Sequence, residues 1–107
     1  MQVTTDIYLL AKKLPKEELY ALSDQIRCAA ISIPSNIAEG QERGTDIEFI
    51  RFLRIAQGSR AEVETQLTLC EHIGYLTKED ITPINGQLEE LGKMINSLIT
   101  RISSKEN

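Results

Sequence analysis

The chain has 107 residues, of which 41% are hydrophobic and 26% charged, with two cysteines, no tryptophan and a formal net charge of -4. That length fits one domain spanning residues 1–107, large enough for a core without disulfides or metals. The acidic balance excludes a uniformly basic nucleic-acid binder, so any such binding needs a local patch. No apolar run approaches the ~18 residues of a membrane span, and the start MQVTTDIYLLAKKL lacks the basic and long apolar stretches of a signal peptide. A cytoplasmic protein is expected, with Cys28 and Cys70 as two buried, reduced thiols inside apolar helical patterns.

Taken in order, Val3, Ile7, Leu10 and Leu14 recur at helical spacing and predict a first helix, capped by Thr4 or Thr5 and ended before Pro15. A second helix is expected to open at Pro15, with Glu17 and Glu18 in its first turn. Its apolar stripe is Leu19, Leu22, Ile26, Ala29, Ile33 and Ile37. Pro34 lies within that stripe, removes one backbone hydrogen bond and predicts a kink near Ala30. Arg43-Gly44-Thr45 reads as a corner with Gly44 as the glycine that ends the helix.

The third helix starts at Thr45 or Asp46, and Thr45 with Glu48 has capping-box spacing. One seam is Phe49, Leu53, Ala56, Val63, Leu67 and Cys70. A second row is Phe52, Ile55, Ser59, Glu62, Gln66, Leu69 and Ile73, which together with the first predicts a wide inner face with a polar middle. Ala56, Gly58 and Ser59 are small enough to let another helix come close. Gly74 ends the helix. Thr77 caps the fourth, whose stripe is Ile81, Ile84, Leu88, Leu91, Ile95, Leu98 and Ile102. Pro83 either kinks its early turn or marks a restart capped by Thr82. The polar tail Ser103 to Asn107 is expected to fray. Four amphipathic helices with short connections predict an all-α fold: an antiparallel up-down-up-down four-helix bundle with a proline kink in the second helix.

No residue set specifies a reaction. The one histidine, His72, does not complete the Glu-x-x-His spacing of di-iron bundles, no nucleophile stands beside a base, and Gly40 and Gly44 are not followed by the Lys-Ser/Thr of a phosphate loop. No enzyme activity, cofactor, metal or small-molecule substrate is expected. Two polar groupings stand out. Asn36, Glu39, Ser59, Glu62 and Gln66 fall on facing sides of the second and third helices and predict a polar network or subunit interface, in which Asn36 approaches Ser59 or Glu62 and Glu39 approaches Arg51 or Arg54. Arg43, Arg51, Arg54 and Arg60 form the single basic cluster and the candidate phosphate contacts, with Glu39, Glu42, Asp46 and Glu48 near enough to pair with them.

The segments SIPSNIAEG and EFIRFLRIAQGSRAEVETQL, with KKLPKEELYALSDQIRCAA before them and GYLTKED after, resemble the 23S ribosomal RNA intervening-sequence proteins over Ala11 to Arg101. The chain departs from that pattern at its start, where an aromatic segment with a Trp is missing. The resemblance implies a left-handed four-helix bundle that self-associates, with a ring-shaped pentamer as the associated form. Its name comes from reading frames within insertions in bacterial ribosomal RNA genes, and a similar fold serves retroelements as a basic pentamer that binds nucleic acid and a reverse transcriptase. It transfers no catalytic residue. The expected function is therefore a non-enzymatic structural or adaptor oligomer linked to RNA or a nucleic-acid enzyme. The alternative is direct nucleic-acid binding through the arginines at the corner.

Overall fold

Apolar residues three and four positions apart form the stripes that the chain buries. A computed structural model describes residues 1–15 and 20–106, and these hold four α-helices and no strand: α1 Gln2–Ala11, α2 Tyr20–Glu42, α3 Asp46–Ile73 and α4 Lys78–Glu106. The core takes Val3, Ile7 and Leu10 from α1, Ile26, Ala29 and Ile33 from α2, Leu53, Val63 and Leu67 from α3, and Ile81, Leu88 and Ile95 from α4. Leu14 is also buried, just beyond the end of α1. The molecule is drawn out, 50 × 21 × 19 Å. Packing is most extensive between α2 and α3, followed by α3 with α4 and α1 with α2, and least between α1 and α4.

Helix ends follow local chemistry. Thr45 caps α3 by accepting from the Glu48 amide at 3.2 Å. Gly74 ends the same helix at φ 93, a left-handed conformation that a side chain would strain. At the start of α4, Thr77 and Asp80 satisfy each other's amides, at 2.9 and 3.1 Å. Asp80 also receives the Lys13 ammonium at 2.8 Å, tying the end of the α1 region to α4. Lys13 and the Thr77 amide together pull the Asp80 carboxyl down to about 2.

Several expectations are corrected. The cap of α1 is Met1 and not Thr4 or Thr5: the Thr4 hydroxyl donates to the Ala30 carbonyl of α2, and the Thr5 hydroxyl to Met1 O. Pro15 precedes the described part of α2, and Glu17, Glu18 and Leu19 lie outside the described residues. Cys28 is exposed, because the buried row of α2 runs through Ile26, Ala29, Ala30 and Ile33. Cys70 is buried, and burial raises its thiol pKa. Pro83 sits inside one continuous helix, where Thr82 donates to the Lys78 carbonyl instead of capping a restart. The tail does not fray at Ser103: α4 runs to Glu106, with Ile102 buried against the core.

Close helix approach occurs at glycines other than Gly58, which has open space around it. A Cβ on Gly40 would lie 2.8 Å from Phe52 Cβ and 3.0 Å from a ring carbon of Phe49, so α2 meets the first turns of α3 almost backbone to side chain. Gly92 of α4 gives the same room to Arg60, whose Nε would be 2.7 Å from a Cβ there.

Candidate interface site on helices α2 and α3

The second row of α3 splits into two kinds of position. Phe52, Ser59 and Gln66 are buried, whereas Ile55, Leu69 and Ile73 are 40%, 47% and 48% exposed. The inner face is thus narrower than the sequence pattern predicts. Ile55, Glu62 and Leu69 are spaced by seven and stack on one outward line beside α2, with Ile73 a further turn along. Aliphatic side chains so exposed on one line of a helix form an unfilled seam, since covering what remains exposed of each gains roughly 1 kcal/mol.

Beneath that line lies a hydrogen-bonded chain. The Asn36 amide donates to the Ser32 carbonyl at 2.7 Å and to the Ser32 hydroxyl at 2.8 Å. The Ser32 hydroxyl meets the Ser59 hydroxyl across the helix pair at 2.7 Å. Asn36 therefore reaches Ser59 through Ser32, a residue outside the polar group named from the sequence. Its signal was its spacing: Ser32 stands one turn before Asn36, where a hydroxyl faces the same neighbour. Farther along α3, the Gln66 amide reaches Glu62 at 3.5 Å, and Gln66 Oε1 is buried with no donor among the described residues. A buried acceptor left open is an uncommon state for a folded chain.

Glu39 does not join this network. It pairs with Arg43, just past the end of α2, at 2.9 Å, and not with Arg51 or Arg54. The arginines divide into separate settings. Arg43 and Arg51 both lie over the Phe52 ring, at 5.1 and 4.6 Å, and Arg51 pairs with Glu48 at 3.0 Å. Arg60 is held against α4 by Gln57 at 2.7 Å and Glu64 at 2.6 Å, while Gln57 donates onward to the Gly92 carbonyl and Asn96. Arg54 is exposed and has no ion-pair partner among the described residues. Among these same residues no three His, Cys, Asp or Glu side chains converge on one point.

The family model for the 23S rRNA-intervening sequence protein matches residues 1–97. The chain belongs to this family. Its fold is similar to the crystal structure of a protein of unknown function from the S23 ribosomal protein family of Bacteroides thetaiotaomicron, with a TM-score of 0.84, 31% identity and 92% of each chain covered. No curated protein matches the chain. Among the described residues, no helix of this 23S rRNA-intervening sequence protein is long and apolar enough to cross a membrane.

Proposed function

We propose that the protein is a non-enzymatic, self-assembling structural or adaptor oligomer of the cytoplasm, a pentameric ring whose role is linked to RNA. The observation that carries this reading is the line Ile55, Leu69 and Ile73, exposed beside the buried, donor-free acceptor of Gln66. A second copy laid on α2 and α3 removes that apolar area from water. The family name supports the RNA link. The reading includes an up-down-up-down order and a bend at Pro34. The first is supported by contacts that run in opposite order along neighbouring helices: Ser32 with Ser59 and Gly40 with Phe52, then Arg60 with Gly92 and Gln57 with Asn96. The second is supported by Pro34 lying inside a helix that continues past it.

Light scattering after size exclusion tests the assembly. With a chain mass of 12.0 kDa, a five-chain ring weighs about 60 kDa. Ile55→Glu and Leu69→Glu place charge in the seam and are expected to return the single-chain mass while helicity is retained. A single-chain mass for the unaltered protein at micromolar concentration would refute the reading.

Arg54, exposed and lacking an acidic partner, favours a second reading, direct contact with nucleic-acid phosphates. Adding structured RNA to the same experiment should raise the mass at low salt, and Arg54→Glu should weaken the complex and flatten its salt dependence. Unchanged affinity in that variant removes the arginine from the contact.

A further inference from the structure

Two stretches without acids come level where α3 meets α4. In a chain of net charge -4, residues 49–61 of α3 hold Arg51, Arg54 and Arg60 and no Asp or Glu. Residues 91–104 of α4 hold Lys93 and Arg101, again with no Asp or Glu. The contacts of Arg60 with Gly92 and of Gln57 with Asn96 set these stretches side by side. Acids from outside them reach Arg51, Arg60 and Lys93: Glu48 at 3.0 Å, Glu64 at 2.6 Å and Glu89 at 3.9 Å. Arg54 keeps an unopposed charge among the described residues.

Between the two helices lies a groove of about 350 Å³ lined by Arg54, Gln57, Arg60, Asn96 and Ile99. Its hydrogen bonds run one way. Arg60 Nε donates to Gln57 Oε1 at 2.7 Å, and the Gln57 amide donates to the Gly92 carbonyl at 2.9 Å and to Asn96 Oδ1 at 2.8 Å. Arg60 Nη1 goes to Glu64, which is not among the lining residues. Each side-chain oxygen in the groove is thus engaged by a donor of the protein itself. What is left over is donors: Arg60 Nη2, Asn96 Nδ2 and the whole Arg54 guanidinium, none with a partner among the described residues. Gly92 admits Arg60 this far, since a Cβ there would lie 2.7 Å from its Nε and 2.8 Å from its Cζ.

We infer that this groove binds a phosphate group, with Arg54, Arg60 Nη2 and Asn96 Nδ2 donating to its oxygens. A phosphate is anionic and all acceptor, which matches a set of donors that carries one unopposed positive charge. A neutral ligand with donors of its own would leave them unpaired there. A planar base finds no aromatic side chain in the lining to stack on, so the contact is to the phosphate and is blind to sequence. The phosphate of a nucleic-acid backbone and a free phosphate offer the same chemistry. The inference rests on the second reading above, to which it gives a site, and it adds Arg60 and Asn96 to the contact.

The probes are inorganic phosphate, followed through the side-chain ¹⁵N–¹H signals of Arg54, Arg60 and Asn96, and a labelled RNA hairpin read by fluorescence anisotropy. Phosphate is expected to shift these signals saturably, and acetate at the same ionic strength to leave them in place. Asn96→Asp keeps the oxygen that Gln57 needs but replaces the donor with an acceptor, and should weaken the hairpin about tenfold or more. Ser97→Asp puts the same charge on the next, exposed residue and should cost only a few-fold. Gly92→Ala moves Arg60 aside with no change of charge and should weaken binding several-fold, with helicity by circular dichroism unchanged. Equal effects of Asn96→Asp and Ser97→Asp, or signals that phosphate does not move, overturn the inference. They do so even where Arg54→Glu still weakens the hairpin, an outcome that leaves the second reading standing. Phosphate shifts without hairpin binding would refute that reading and assign the groove to a free phosphate.

Discussion

Asp80 does two jobs with one carboxylate, accepting from the Thr77 amide and receiving Lys13, while its own amide donates to the Thr77 hydroxyl. These partners favour its charged form and hold its pKa near 2, below the usual 3.8. A carboxyl whose folded value is depressed stabilises the fold above its unfolded value, and that contribution is lost as pH falls through the folded one. Unfolding midpoints should therefore decline between about pH 4 and pH 2. Asp80→Asn should lower the midpoint at pH 7 and flatten that acid limb, as thermal melts at several pH values would show. An unchanged limb would mean that other carboxylates control acid unfolding.

At the scale of elements, the α2–α3 pair depends on Gly40. Any side chain there drives into Phe49 and Phe52, and the Phe52 Cβ, fixed to its own backbone, is only 2.8 Å from a built Cβ. Backbone cannot swing aside as a long side chain can, so Gly40→Ala is expected to destabilise by about 1–3 kcal/mol in urea unfolding, outweighing the ~1 kcal/mol that alanine gains in helix propensity. Gly92→Ala meets the flexible end of Arg60 instead, and the expected loss is smaller. These two contacts also show what the sequence could and could not convey. Stripes such as Val3, Ile7 and Leu10 were readable because one helix writes its own period into neighbouring residues. The corner at Gly44, the Thr45 cap and the stop at Gly74 were readable for the same local reason. The sequence marks Gly58 and not Gly40 as a packing point, because the meaning of a glycine depends on a helix that arrives from elsewhere in the chain.

For the whole molecule the same limit applies to the polar group between α2 and α3. Asn36, Ser59 and Gln66 were identified as a polar group within the apolar rows of α2 and α3, and Ser59 and Gln66 are buried. Which aliphatic residues stay exposed was not readable, since Ile55 and Leu53 obey the same period and differ only in whether a neighbour covers them. Glu39 had several arginines in reach, and it pairs with Arg43, just past the end of its own helix.

The elongated outline has a consequence for motion in solution. Helices α3 and α4, 28 and 29 residues long, are each about 42–43 Å and fit only along the 50 Å axis. Their amide N–H bonds therefore point nearly along the long axis of the rod, so only its slow end-over-end tumbling reorients them. In the isolated chain the ratio of transverse to longitudinal ¹⁵N relaxation should sit on a raised plateau across both helices and dip at the Arg43–Thr45 corner, where the amides turn away. Gathering copies around a ring changes the axial ratio of the tumbling body, so the contrast between plateau and corner reports the assembly through bond orientation alone.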